Sequence, residues 1–188
     1  MIAASQLRTG MAIRHQGVIY KILFAEYHAG QGKMGGVAHL RLKNIDTGGL
    51  WEHRFRSDER LEEIPLEKQQ MDFLYSDADS CYFMSPETFE QVGIPRASVG
   101  PAEKFLRPEM RLSVEFFEGR PVSVSFPDIV EVRVADTALP THTQQDNTWK
   151  PARLDNGVEV MVPQFIRSGE VIRVDVESGK YVERARRL

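Results

Sequence analysis

The chain has 188 residues, with 24 Lys and Arg against 27 Asp and Glu, a formal net charge of −3 and one cysteine. With its 14 glycines the apolar share rises to about 48%, ordinary for a globular protein and too high for bulk disorder. No run approaches the ~18 apolar residues of a membrane span, residues 1–10 lack a signal-peptide core, and one thiol frames neither a disulfide scaffold nor a thiolate metal cage. These features predict a soluble, cytoplasmic monomer.

Period-2 alternation dominates the chain. Val18–Leu23 follow the turn pair Gln16-Gly17, Ala38–Lys43 place Leu40 and Leu42 on one face, and Asp46-Thr47-Gly48-Gly49 turns into a strand over Leu50–Arg56. Met71–Tyr75 and Cys81–Met84 flank the turn at Ser76–Asp79. Leu112–Phe117, Val122–Phe126 and Ile129–Val134 are parted by Glu118-Gly119 and Pro127-Asp128. Val158–Val162, Val171–Val176 and Tyr181-Val182 complete the series. Helical signals are few: Ser85-Pro86-Glu87 reads as a capped helix start running to Gln91, and Ala102–Leu106 as a short turn.

Strands spaced this way predict an all-β protein of small barrels. Residues 1–65 carry 9 basic and 7 acidic groups, residues 66–130 carry 6 and 11, and residues 131–188 carry 9 and 9. Each third matches a five-strand barrel, which gives expected domains at 1–65, 66–130 and 131–188. Basic ends about an acidic middle suit phosphate contact at two places.

Little in the chain points to an enzyme. His15, His28, His39, His53 and His142 form no ligand spacing; His39 and His53 could face each other across the Asp46–Gly49 hairpin, but two ligands do not make a zinc site. Cys81 lies in an apolar strand and reads as a packing thiol. No nucleophile elbow, Walker motif or dinucleotide-binding glycine pattern occurs. The unusual segment is His28–Gly36, with four glycines in nine residues and one lysine, Lys33. Glycine costs backbone entropy, so such a loop suits entry into a narrow crevice close to phosphates. A nucleophilic role for Lys33 would need a pocket and a lowered pKa, which an exposed, glycine-flanked site does not supply.

Lys150-Pro151-Ala152, Gly157, Val160, Val162-Pro163, Ile166 and the run Gly169-Glu170-Val171-Ile172-Arg173-Val174-Asp175 resemble the signature of bacterial translation elongation factor P. Ser178–Arg184, Glu87–Gln91 and Asp136-Thr137 extend the resemblance over essentially the whole chain. It implies an L-shaped, tRNA-like arrangement of three barrels, an N-terminal KOW/SH3-like domain followed by two OB-type domains. It implies no enzymatic activity and no cofactor. The implied partners are the ribosome, through rRNA and ribosomal proteins, and the P-site tRNA. The factor would bind between the P and E sites and promote peptide-bond formation at polyproline stalls.

The loop Gly32-Lys33-Met34-Gly35 then corresponds to the family's tip loop beside the peptidyl-transferase centre. In many members its lysine carries a β-lysyl or related extension added by a modifying enzyme. Arg41, Lys43, Arg54 and Arg56 would hold the acceptor arm by phosphate contacts, and Tyr181 and Arg184, which match the family's terminal Tyr and Arg, the anticodon side. Two departures mark a divergent branch or paralogue. The tip reads Gln31-Gly32-Lys33-Met34-Gly35 where the family has Pro-Gly-Lys-Gly, and residues 141–149 lack the family's Gly-Asp-Thr. The alternatives are an OB-fold RNA-binding protein, against which the acidic middle third speaks, and a specialised paralogue serving other stalling motifs.

Overall fold

A computed structural model describes residues 1–30, 35–140 and 148–185, and these are almost all strand and turn. β1 (Ile2–Ala3), β2 (Ala12–His15), β3 (Val18–His28), β4 (Val37–Asn44), β5 (Leu50–Arg56) and β6 (Arg60–Ile64) form a sheet in the order β1-β6-β2-β3-β4-β5. β7 (Glu67–Ser76), β8 (Ser80–Met84), β9 (Gln91–Pro95), β10 (Arg111–Phe117) and β11 (Arg120–Ser125) form a second, in the order β11-β10-β7-β8-β9. β12 (Ile129–Thr137), β13 (Trp149–Leu154), β14 (Glu159–Pro163), β15 (Val171–Asp175) and β16 (Tyr181–Arg184) form a third, in the order β14-β13-β12-β15-β16. Helix among the described residues is confined to Ala4–Gln6, Arg96–Val99 and Gly100–Phe105, and none is long and apolar enough to cross a membrane.

The alternation explains the first sheet. Ala38, Leu40 and Leu42 of β4 are buried with Ile13, Ile22 and Phe55, while His39, Arg41 and Lys43 take the opposite face. Trp51, His53 and Phe55 share the core side of β5 because they oppose Leu42, Leu40 and Ala38. The His53 ring lies tilted at 4.7 Å from Trp51 and edge-on at 4.5 Å from Phe55, and His15 of β2 lies 5.4 Å from Trp51. β2 and β5 are not neighbours in the sheet, so these rings close it into a barrel. His39 opposes Arg54 rather than His53. The two imidazoles therefore lie on opposite faces, since a one-residue offset exchanges faces.

Several short strands lie outside the sequence expectation, and one expected helix is absent. β13 hides its alternation because a lysine occupies an inward position. Lys150 is buried between exposed Trp149 and Pro151, and its ammonium donates to the Ala138 carbonyl. Ser85 does cap the chain, accepting from the amides of Glu87 and Thr88. The turn then ends at Phe89, where φ is 60° and the amide donates back to the Ser85 carbonyl. Glu90 returns at once to pair with Ser85, so no helix propagates.

Two compact units result, one comprising residues 1–100 and 107–125, the other residues 101–106 and 126–188. Within the first, Ala12, Ile19, Ile45 and Ile64 of the first barrel pack with Val122 of the second. Arg120 pairs with Asp46 at 2.8 Å, and the Ser98 hydroxyl donates to the Ile45 carbonyl at 3.2 Å. The Asp46–Gly49 turn is pressed against residue 97: a Cβ at Gly48, where φ is +72°, would lie 2.4 Å from the Ala97 carbonyl oxygen. Gly10 has a similar φ of +89° and open space around it. Gly10→Ala is expected to cost about 1–2 kcal/mol for the left-handed backbone alone. Gly48→Ala adds overpacking and should cost on the order of 3 kcal/mol. Urea denaturation of both variants checks this, and equal losses would show that the contact at Ala97 yields freely.

Candidate functional site

β3, β4 and β5 carry one outward face in register. Phe24 opposes Arg41, which opposes Glu52; Glu26 opposes His39, which opposes Arg54; His28 opposes Val37, which opposes Arg56. Phe24 is on this face because the β3–β4 register shifts between Ile22 and Phe24, leaving Leu23 as a bulge residue. The Arg41 guanidinium lies 5.9 Å from the centre of the Phe24 ring, itself 41% exposed. Arg54 is exposed and makes no ion pair among the described residues, and Arg56 is held 3.1 Å from Asp58 while its side chain remains 80% exposed. Glu26 and Glu52 are paired with His28 and His39 at 3.3 and 3.8 Å. The structure thus brings Arg41, Arg54 and Arg56 together, and with them an exposed aromatic that the sequence reading passed over.

Lys43 departs from the expectation. It belongs to the same face, opposite Lys21 and Leu50, but that end of the face is covered by the second barrel. Its ammonium donates to the Ser98 carbonyl, and burial, followed by the charge of Lys21, holds its pKa below the usual lysine range. A side chain so placed is a contact within the unit and not an open phosphate site.

At the opposite end the strands run into the glycine-rich loop. Lys33, Gly32 and Met34 lie outside the described residues, as do residues 141–147. Gly35 has nothing within 4 Å of a notional Cβ. Gly36 is different: a Cβ there would lie 2.5 Å from the Tyr27 hydroxyl and 2.9 Å from the His28 carbonyl oxygen. The Gly36 carbonyl accepts from the Ser57 amide at 2.8 Å, so the root of the loop is fixed on both sides.

In the second unit, Tyr181 and Arg184 of β16 line a cleft of about 850 Å³ with Phe165, Glu131, Arg133 and Glu170. Arg184 lies 6.0 Å from the centre of the Phe165 ring and 3.5 Å from the Glu170 carboxylate. Tyr181 is half-buried with its ring edge-on to Trp149 at 5.9 Å. Burial raises its pKa, against the opposing effect of Arg184, so the phenol stays protonated and can donate. Phe165, 55% exposed, had no periodic signal because it follows Pro163 in a turn. Among the described residues no three His, Cys, Asp or Glu side chains gather as metal ligands.

Three family models match end to end: the elongation factor P KOW-like domain over residues 3–61, the elongation factor P OB domain over residues 66–124 and the elongation factor P C-terminal domain over residues 130–184. Elongation factor P of Acidobacterium capsulatum is 39% identical over 98% of this chain and 99% of its own length. The chain belongs to the elongation factor P family. Elongation factor P of Clostridium kluyveri is 37% identical over 98% of this chain and all of its own. Among solved structures, a eukaryotic translation initiation factor 5A from Methanococcus jannaschii aligns with a TM-score of 0.46 at 17% identity, covering 66% of this chain and 90% of that one. The protein is accordingly a translation elongation factor, from a family of factors and not of enzymes.

The geometry at the loop root yields a direct test. Gly36→Ala must displace Tyr27 or the backbone and should cost about 1–3 kcal/mol, with amide shifts concentrated at residues 26–28 and 56–57. Gly35→Ala should leave those amides in place. Heteronuclear NMR and urea denaturation distinguish the two, and matching spectra would show the close approach to be dispensable.

Proposed function

We propose that this elongation factor binds the ribosome between the P and E sites, lies along the P-site tRNA and promotes peptide-bond formation where consecutive prolines stall translation. The observation that carries the reading is the single outward face on which Arg41, Arg54 and Arg56 share strands with the glycine-bounded loop. Guanidiniums in a row suit the phosphates of an acceptor arm, which position without reading sequence. Phe24 beside Arg41 adds an exposed ring able to stack on a base or ribose. Tyr181 and Arg184, in the cleft of the second unit, take the anticodon side in this reading.

Proline is conformationally fixed, so a peptidyl-tRNA ending in it reacts slowly when misplaced. Orientation alone can cost on the order of 10²-fold in rate. The factor supplies no acid or base in this mechanism. It holds the tRNA body by spread phosphate contacts and brings the cation of Lys33 to the reacting end. A lysine-modifying enzyme that adds a β-lysyl or similar extension to Lys33 would lengthen that reach.

Reversing Arg54 and Arg56 to Glu together should weaken ribosome binding most at low salt and reduce the slope of log K against log[salt] by about 2. An unchanged slope removes both residues from the interface. Lys33→Ala should bind ribosomes nearly as tightly as the parent, yet lose on the order of 10²-fold in rate at a polyproline stall in a reconstituted assay. Full activity of Lys33→Ala would overturn the mechanism.

A further inference from the structure

Glu115 is a charged residue in a buried position, 1% exposed, and alternation explains how it comes to be there. Val114 and Phe116 face the core of the second barrel, which turns Glu115 to that barrel's outer surface between Lys68 and Ser123 on the flanking strands. It is buried because the first barrel covers it. Lys21 of β3, whose side chain is 13% exposed, reaches across and donates to the Glu115 carboxylate. The Ser123 hydroxyl donates to the same oxygen, and Lys68 lies 3.7 Å from the other. Beside this cluster Lys43 of β4 donates to the Ser98 carbonyl.

Lys21 and Lys43 oppose each other on β3 and β4, the two strands that continue to the glycine-rich loop. From Lys21 to His28 is about 23 Å at ~3.3 Å per residue. Pivoting at Glu115, these strands would form a lever with the root of the loop at its far end. A rotation that shifts the near end slightly moves the loop by more, and about 1 Å of misplacement can cost on the order of 10²-fold in rate. The ion pair is desolvated only while the barrels are together, since parting them would return both charges to water.

We propose that Glu115 is a positioning residue: beside the apolar packing at Val122 and the Arg120–Asp46 pair, its bond to Lys21 locks the angle of the first barrel on the second and so sets where the loop carrying Lys33 is held. The functional part rests on the reading of Lys33 given above; the locking does not. Glu115→Gln alone leaves the Lys21 ammonium buried without its counter-charge and is expected to destabilise the unit. Combining it with Lys21→Met removes the stranded charge and should restore much of that stability while the lock stays broken.

Residual dipolar couplings measured on the full chain give the first readout. One alignment tensor should fit the amides of residues 1–30, 35–64, 67–100 and 107–125 in the parent, and two should be needed in the double variant. In the reconstituted polyproline assay the double variant should keep its half-saturating concentration within about threefold and lose about tenfold or more in saturated rate. A single tensor in the double variant overturns the lock. Recovery of rate together with stability overturns the positioning role, and assigns the pair to folding alone. Lys33→Ala run in parallel separates the failures: if it is fully active, the reading of the loop falls, and the couplings still decide the lock.

Discussion

Burial of Ala38, Leu40 and Leu42 fixes which way every cation on β4 points. A slip of one residue would bring His39, Arg41 and Lys43 into the core and expose the leucines, so the apolar set enforces the polar one. Through the registers with β3 and β5 the same constraint aligns Arg54 and Arg56 with Arg41 and aims Lys21 and Lys43 at the second barrel. Electrostatics takes no part in choosing these directions. It acts afterwards, on groups whose placement the core has already decided.

That single face has two fates along its length. Near the second barrel its cations are covered and satisfied by Glu115, Ser123 and the Ser98 carbonyl. Toward the loop the guanidiniums face outward, accompanied by Phe24 and by carboxylates that leave only a modest positive excess. The chain's acidic balance is compatible with this, because the face needs local and not overall positive charge.

The alternating strands were legible from residues alone wherever the inward positions were apolar, as on β4, β10 and β15. They were not legible where an inward position was polar, as at Lys150, or where a strand was too short to alternate, as in Ile2–Ala3. The Ser85 cap chemistry was read correctly, but a cap does not make a helix when the chain reverses five residues later. Arg41, Arg54 and Arg56 could be assigned to one surface because period 2 relates them within and across a hairpin. Lys43 obeys the same period, and its different role comes from Ser98, far away in sequence, which no local pattern encodes. Phe24 was missed because alternation counted from Ile22 turns it inward, and only the bulge at Leu23 turns it out.

The fit between Gly36 and Tyr27 sets a boundary on variation. At Gly35 a side chain would meet open space, whereas Tyr27, Gly36 and the amide of Ser57 form a fitted collar. Tips from other family members could therefore be grafted onto this scaffold inside the collar as cassettes, with the barrel untouched. A graft that carried a foreign residue into position 36 would transplant a conflict along with the tip. Diversification of the tip and preservation of its mounting are separable in this molecule, and the dividing line falls between two adjacent glycines.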